Sequence, residues 1–399
     1  MVMLSETPTD RGTMVLNMGP QHPATHGVLR LVLEMDGETI ISAAPDIGYL
    51  HTGIEKTCEG LTWHQAITAT DRTDYLAPMS NNLSYILAAE KLFGITEDVP
   101  PRAQYLRVLL CELTRVGSHL VWLGTQAMDL GATSVFLYCF RERETILSIF
   151  EFISGVRMMT SYFRLGGLAA DVPDGFEDRV REVVRTFPDR INDYETLLTK
   201  NPIFLDRTQG TGAMSKEEAV AWGVTGPMLR AVGVPYDVRK AFPYSSYGDF
   251  AFDVPVRQNG DVYDRYLVRV AEMRQSLRIV EQALDRLPGG EIRLDNPRVT
   301  LPKREKMYHS MESLIHHFKL VTEGPKCPPG EAYVAIESPR GELGCTVVSD
   351  GTSKPQRVRF RAPSFLHVQA LPQMMEGRLV ADVVAAIGST DIVLGEIDR

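Results

Sequence analysis

Two histidines, His22 and His26, stand four residues apart in GPQHPATHG, between two glycines and two prolines. An imidazole changes charge near neutral pH and can donate, accept or ligate, so three readings are open. The pair could clip a metal, act as an acid–base pair, or sit in a tight turn bonded to backbone. A zinc site needs three or four ligands, and the chain offers no HExxH or CxxC companion. Pro23 also opposes a continuous helix through both rings, which disfavours the metal clip. A second candidate is HQAITATDRTDY, where Arg72, Asp74 and Tyr75 interrupt an apolar stretch. Buried charge is costly unless paired or functional, so Arg72 and Asp74 are expected to pair with each other. Asp129, in GTQAMDLGA, either caps the following helix or serves as a buried partner for a histidine. RERET (Arg141 to Thr145) and ESPRGELG (Glu337 to Gly344) carry dense charge in apolar surroundings, read as solvated faces or subunit contacts. GTGAMS, from Gly210, lacks the third glycine and the preceding strand of a dinucleotide loop. The five cysteines, Cys58, Cys111, Cys139, Cys327 and Cys345, form no CxxC pair. They are expected to be reduced cytoplasmic thiols packed as small hydrophobes.

These residues must be positioned by a chain of 399 residues that is 44% hydrophobic and 23% charged, ordinary values for a globular protein. A net charge of −9 argues against a nucleic-acid surface. The N-terminal sequence has no apolar signal-peptide core, and no segment approaches the roughly 18 uninterrupted apolar residues of a membrane span. Residues 1–12 read as a flexible tail, and 13–60 as a small antiparallel β region. There, Leu29, Leu31, Leu33 and Met35 alternate with Val28, Arg30, Val32 and Glu34, and Asp36-Gly37 marks a hairpin. The histidine loop enters this sheet. Residues 61–325 read as a helical bundle: one helix over 61–93, one opened by the prolines of PPRAQ, and one from SVFLYCF through to Gly166-Gly167. Further helices are expected near 173–200, 262–287 and 303–321. Residues 326–399 return to strand patterns in EAYVAIES, CTVVSDG and RVRFRAP, and close as a C-terminal β region with a terminal strip. The fold class is α+β, with a central bundle of long helices and small antiparallel sheets toward both ends.

Ten blocks follow one another in a distinctive order: GPQHPATHGVLRL, GYLHTGIEK, ATDRTDYL, FRERET, YFRLGG, YDVRKAFPYS, FDVPV, ESPRGELG, VRFRAPSF and the terminal GEIDR. From about residue 13 to Arg399 the chain resembles the D subunit of NADH–quinone oxidoreductase, the quinone-pocket component of respiratory complex I. That resemblance implies a fold like the large subunits of nickel–iron hydrogenases. Those enzymes hold metal with two CxxC pairs, the second within D-P-C-x-x-C-x-x-H. Here Asp391 aligns with the aspartate, Val393 and Glu396 with the cysteines, and Arg399 with the histidine, while Asp74 stands at a cysteine position of the other pair. Nickel wants soft thiolates. Without them, the resemblance implies a metal cavity emptied and reused for another ligand.

By the same resemblance, His26 and Tyr75 would hydrogen-bond the quinone headgroup, with Asp129 behind the imidazole and His22 shaping the loop. Quinone reduction consumes two electrons and two protons, and its developing oxyanions call for O–H and N–H donors. Phe136 and Phe140, four apart, either line the pocket or pack in the core. Asp391, Val393 and Arg399 would border the cavity. The implied electron donor is a 4Fe-4S cluster held by a neighbouring subunit, with Arg72 and Arg164 beside it. Met159 stands where many relatives carry a histidine near that cluster. A thioether takes up no proton, so a lower, less pH-dependent cluster potential is expected, compatible with menaquinone. Thr52 replaces an arginine of the mitochondrial branch, as in bacterial members. The implied activity is proton-translocating NADH:quinone oxidoreduction, with menaquinone or ubiquinone as substrate. The implied partners are the cluster-bearing B subunit, the C and I subunits, and the membrane-embedded H subunit, at the cytoplasmic face of a bacterial plasma membrane. Two alternatives stand beside it: the same site fed by a donor such as reduced ferredoxin, and a nickel–iron hydrogenase large subunit, which the absent CxxC pairs disfavour.

Overall fold

The computed structural model describes residues 7–8, 12–22, 25 and 27–399. The N-terminal sheet is antiparallel, in the order β1 (Thr7–Pro8), β2 (Met14–Met18), β3 (Arg30–Asp36) and β4 (Thr39–Asp46). Period-two alternation puts Leu31, Leu33 and Met35 on the buried face of β3. The turn between β3 and β4 places Gly37 at φ +59°, a left-handed position open to glycine. Thr7 and Pro8 pair with Val15 and Met14, so the expected tail is in part a strand.

The helix expected over 61–93 is broken. Instead α1 (Ile54–Gly60), α2 (Ala66–Thr70) and α3 (Pro78–Phe93) follow one another, and a polar turn separates the last two. Pro78 opens α3, where its missing N–H costs nothing. Next, α4 (Pro101–Asp129) runs unbroken through the centre. Leu106, Leu109, Leu110, Leu113, Val116, Leu120 and Leu123 are all buried along it. It packs against α3, α5 (Thr133–Ser154), α11 and α16, the last two being Val262–Asp285 and Val380–Thr390. α5 stops well before the expected Gly166-Gly167, because Gly155 takes the left-handed C-cap at φ +76°. The chain beyond forms the hairpin β5 (Phe163–Arg164) and β6 (Gly167–Leu168).

A helix α6 (Phe176–Leu198) and four short helices, α7 (Pro202–Thr208), α8 (Lys216–Ala221), α9 (Pro227–Ala231) and α10 (Val238–Ala241), lead to α11. The helix expected near 303–321 is split into α12 (Arg304–His309) and α13 (Met311–Thr322) at Ser310, whose hydroxyl accepts from Ser313 N at 3.2 Å. The second sheet, β7 (Gly330–Glu337), β8 (Glu342–Ser349) and β9 (Arg357–Arg361), packs on α3. Past Arg361 the expected C-terminal β character gives way to helix: α14 (Pro363–Gln369), α15 (Leu371–Met375), α16 and α17 (Leu394–Ile397). Pro363 starts this run, and its small apolar residues pack into the second core cluster with Leu31, Leu33 and Met228. No helix among the described residues is long and apolar enough to cross a membrane.

Candidate functional site

The polar turn from Asp71 to Ala77 is where the candidate residues converge. Asn81 donates to Asp74 O at 3.0 Å, and Asn82 donates to Ile67 O and Thr70 Oγ1 at 3.1 and 2.9 Å. Asp74 Oδ1 accepts from the Leu76 and Ala77 N–H groups at 3.0 and 3.2 Å, holding the turn that leads into α3, and Ala77 N also donates to Asp74 O at 3.1 Å. Its other oxygen accepts from Arg340 Nη1 at 2.9 Å. Arg72 turns outward and donates to Thr68 O at 2.5 Å. The expected Arg72–Asp74 pair is therefore not made. Residues two apart on a helical turn face different ways, and a buried cation from another element reaches the carboxylate first.

That cation comes from ESPRGELG. Rather than a solvated face, this stretch is the buried turn between β7 and β8, closed by Ser338 N to Gly341 O at 2.8 Å. Glu337 accepts from Arg230 Nη1 at 2.8 Å. Arg340 has no solvent exposure and also donates to Ser118 Oγ at 2.6 Å and, through Nη2, to Asp391 Oδ1 at 3.4 Å. Asp391 ends α16 in the left-handed region, at φ +54° and ψ +46°. Next to it, Val393 N donates to Ser364 Oγ at 3.3 Å, and Glu396 accepts from Ser364 N at 2.9 Å. Gly395 lies so close to the turn that a Cβ there would stand 2.6 Å from Thr73 O and 3.2 Å from Tyr75 Cε1. Arg399 closes the strip, its Nε donating to Glu55 Oε1 at 3.1 Å and its guanidinium 5.1 Å from the centre of the Phe365 ring.

Tyr75, Asp74, Asp391, Val393, Glu396 and Arg340 thus form one assembly. Burial pushes the Asp391 carboxyl up to about 6, against the pull of Arg340 and Arg269. Burial and then the neighbouring Asp74 charge push Glu396 up to about 7. The half-buried Tyr75 phenol is also raised, by burial first and by Asp74 next, with Arg340 opposing. It is a proton donor at neutral pH. Arg340 occupies the space between carboxylates that a cation must fill, and among the described residues no group of three or more His, Cys, Asp or Glu is placed to hold a metal ion. The five cysteines are buried and unpaired. Burial raises the Cys58 thiol to about 12 and that of Cys327 to about 11.

A second group gathers at the joint of α4 and α5. Asp129 is the last residue of α4 and does not cap α5, whose N-cap is Ala132. Its half-buried carboxyl is raised by burial and lowered by the charge of His22. The His22 carbonyl accepts from Thr25 N and Thr25 Oγ1 at 3.1 and 2.9 Å, and His22 bridges to Gly27. His26 lies outside the described residues. Phe136 and Phe140 stack obliquely, centroids 4.3 Å apart, with Phe140 36% exposed. Phe136 is partly buried where it packs against Gly124 of α4, while Phe140 faces outward.

A third group lies on the other side of the turn. Asp71, fully buried, accepts from the Ser161 hydroxyl, and Arg164 on β5 donates to Ser161 O. Burial raises Asp71 to about 6. Met159, half-buried, precedes this hairpin. Sequence reasoning named Arg72, Met159 and Arg164 here but missed Asp71 and Ser161. At the first group it missed Arg340 and Ser118. A charged block between two apolar strands was the available signal for Arg340.

The family described as respiratory-chain NADH dehydrogenase, 49 kDa subunit, matches residues 129–399. The NADH-quinone oxidoreductase D 2 subunit of Koribacter versatilis is 62% identical over 387 residues, covering 97% of this chain and 96% of that protein. This chain belongs to that family. Within the family, the D 2 subunit of Chloroflexus aurantiacus is 61% identical over 390 residues (97% of this chain, 94% of that one). The D subunit of Geobacter sulfurreducens is 56% identical over 386 residues, covering 97% and 98%.

Proposed function

We propose that this chain is the quinone-site component of a multisubunit, proton-translocating NADH:quinone oxidoreductase. In this reading it carries a cavity related to that of nickel–iron hydrogenase large subunits and sits at the cytoplasmic face of a bacterial plasma membrane. It contacts the cluster-bearing B subunit together with the C and I subunits and the membrane-embedded H subunit. Menaquinone or ubiquinone is the substrate. A 4Fe-4S cluster in the neighbouring subunit would supply the two electrons.

The supporting observation is the Tyr75 turn. Its phenol stays protonated at neutral pH and is held by a turn locked on one side by Asp74 and Arg340 and on the other by Gly395. A fixed O–H donor beside a quinone carbonyl stabilises charge as it develops on oxygen and can then hand over its proton. His26 would serve the opposite carbonyl, with Asp129 and His22 setting the electrostatics of that loop. Asp391 and Glu396, poised at about 6 and 7, would return a proton to the Tyr75 side. Phe136 and Phe140 would flank the flat ring. Arg399, through Glu55, and Val393, through Ser364, hold the terminal strip in place. Arg72 and Arg164 would lie beside the reduced cluster and stabilise its charge.

Substituting Tyr75→Phe and His26→Ala in the assembled complex tests this reading. Each removes one donor, and a loss of about a hundredfold in quinone reduction is expected. Unchanged activity in both variants would remove the assignment.

A further inference from the structure

The seam between the two central helices is polar. Arg265, Arg269 and Glu272 recur along one face of α11, with His119 and Trp122 opposite them on α4, and all five are buried. Charged side chains are almost never buried this fully unless they are paired, and core helices ordinarily meet through apolar stripes. None of these residues belongs to the Tyr75 assembly, so their burial calls for another reason.

That reason lies at the end of α16. The last carbonyls of a helix have no partner within it. Here Trp122 Nε1 donates to Gly388 O at 2.8 Å and Arg269 Nη1 to Ser389 O at 2.8 Å, while Arg265 Nη1 donates to Ser389 Oγ at 2.9 Å. The Arg269 guanidinium also lies over the Trp122 ring, 4.4 Å from its centre. A cation suits the partial negative charge of a helix C-terminus. Two residues after Ser389 comes Asp391, in the left-handed conformation that side-chain-bearing residues seldom adopt. Its backbone is set by a terminus clamped from both α4 and α11.

Charge acts along with the clamp. Arg269 Nε and Nη2 have no hydrogen-bond partner among the described residues, and neither has Asp391 Oδ2, whose sister oxygen takes the 3.4 Å contact from Arg340. After Arg340, Arg269 is the group that most favours the ionised form of Asp391, whereas Asp74 and Glu272 oppose it. Glu396 and Tyr75 act on the shared Arg340. Of the charges acting on Arg269, Asp391 is the strongest. Glu272 is held in place by Arg230 Nε at 2.7 Å and by His119 Nε2 at 3.1 Å. Burial takes His119 down to about 4 against the pull of Glu272, with Arg269 and Arg115 assisting, so its ring is neutral near pH 7. His367 on α14, lowered by burial and then by Arg269 to about 3, is neutral as well. The charges that compete over Asp391 from α11 are therefore Arg269 and Glu272.

We infer that Arg269 is a positioning residue for Asp391: it clamps the end of α16 that carries the carboxyl and supplies a second counter-charge, opposed by Glu272, so that α11 governs the proton on Asp391. Its bearing on turnover rests on the proposed function, in which Asp391 returns a proton to the Tyr75 side. Its bearing on the carboxyl itself does not.

The test follows the infrared band of the Asp391 carboxyl against pH in the assembled complex, assigned by its loss in Asp391→Asn, beside the pH profile of quinone reduction. In Arg269→Gln the amide can still donate to Ser389 O, but the charge is gone. The ionised carboxyl loses a cation, so its midpoint should rise by about one pH unit. Arg269→Lys keeps the charge and should hold the midpoint near that of the parent. Glu272→Gln removes an opposing charge and should lower the midpoint by about one unit; that shift decides alone where Arg269→Gln does not assemble. The alkaline limb of the activity profile should move with the carboxyl in each variant. A merely structural role would lower activity and leave the midpoint where it was, and that result overturns the inference. So does like behaviour of the Gln and Lys variants at position 269, or a shift of Arg269→Gln and Glu272→Gln in the same direction. A carboxyl that shifts as expected while the activity profile stays put upholds the inference and removes Asp391 from the proposed proton return.

Discussion

Replacing Arg340 by methionine keeps a long, flexible side chain but deletes the charge shared by Asp74 and Asp391. Three contacts disappear, to Asp74 at 2.9 Å, Ser118 at 2.6 Å and Asp391 at 3.4 Å. All of these groups are buried, so the acids cannot turn to water. Removing one member of a buried ion pair costs about 3–5 kcal/mol, a large share of the roughly 5–15 kcal/mol that holds a typical domain folded. For a chain of this length that corresponds to a fall of roughly 5 °C in the unfolding temperature. Asp391 and Glu396 already sit high, at about 6 and 7, and losing the cation raises them further. The sign follows: the folded variant binds protons that the unfolded chain has released, so it is relatively better off near pH 6 than near pH 8. Adding Asp74→Asn removes the main uncompensated charge and should recover about 1–3 kcal/mol relative to Arg340→Met alone. The assay is thermal unfolding of purified complexes carrying each single variant and the double, at both pH values, with hydrogen exchange at the backbone of residues 73–75 as the local readout. An unfolding temperature for Arg340→Met within about 1 °C of the parent at both pH values would refute the reasoning. So would a double variant no more stable than the single one.

Gly395→Ala places a methyl 2.6 Å from Thr73 O and 3.2 Å from Tyr75 Cε1. Such overpacking costs about 1–3 kcal/mol, and quinone reduction should fall about tenfold with little change elsewhere; retained activity counts against the proposed role of the Tyr75 turn. The raised carboxyl of Asp391, moved from 3.8 to about 6, contributes stability that is complete below pH 4 and lost as pH rises through 6. Asp391→Asn should flatten that decline by on the order of 3 kcal/mol in unfolding measured across the window, and an unaltered slope would contradict the burial argument. Met159→His introduces a titratable group on the hairpin side of the turn. A redox titration of the complex should then show a cluster potential steepening toward about 59 mV per pH unit; a parent that is already this steep contradicts the reading of Met159.

Much of the fold is legible in one-dimensional pattern. The alternation of Leu31, Leu33 and Met35 and the Asp36-Gly37 turn specify a hairpin because side-chain direction in a strand repeats every two residues. The apolar period of Leu106 to Leu123 specifies α4 for the corresponding reason at 3.6 residues per turn. Breaks were harder to see. Asp74 reads as one charge within an apolar helix, yet it lies in the turn between α2 and α3, where its carboxylate takes two backbone N–H groups. Gly155 stops α5 from inside a stretch whose apolar content continues unchanged. Three candidate site residues, Tyr75, Asp391 and Val393, fall in one assembly. The key to it, Arg340, was read as surface charge, because nothing local distinguishes a solvated arginine from one buried by partners 51 to 266 positions away.

The sequence alone determined the first hairpin and the central helix α4, the apolar side of each, and which family's blocks run along the chain, since these depend on near neighbours and on order. Only the tertiary structure decided which charges neutralise one another. Asp74, Ser118, Arg340 and Asp391 come from four separate segments, and the energy of a buried charge depends on distance through space, which sequence separation does not encode.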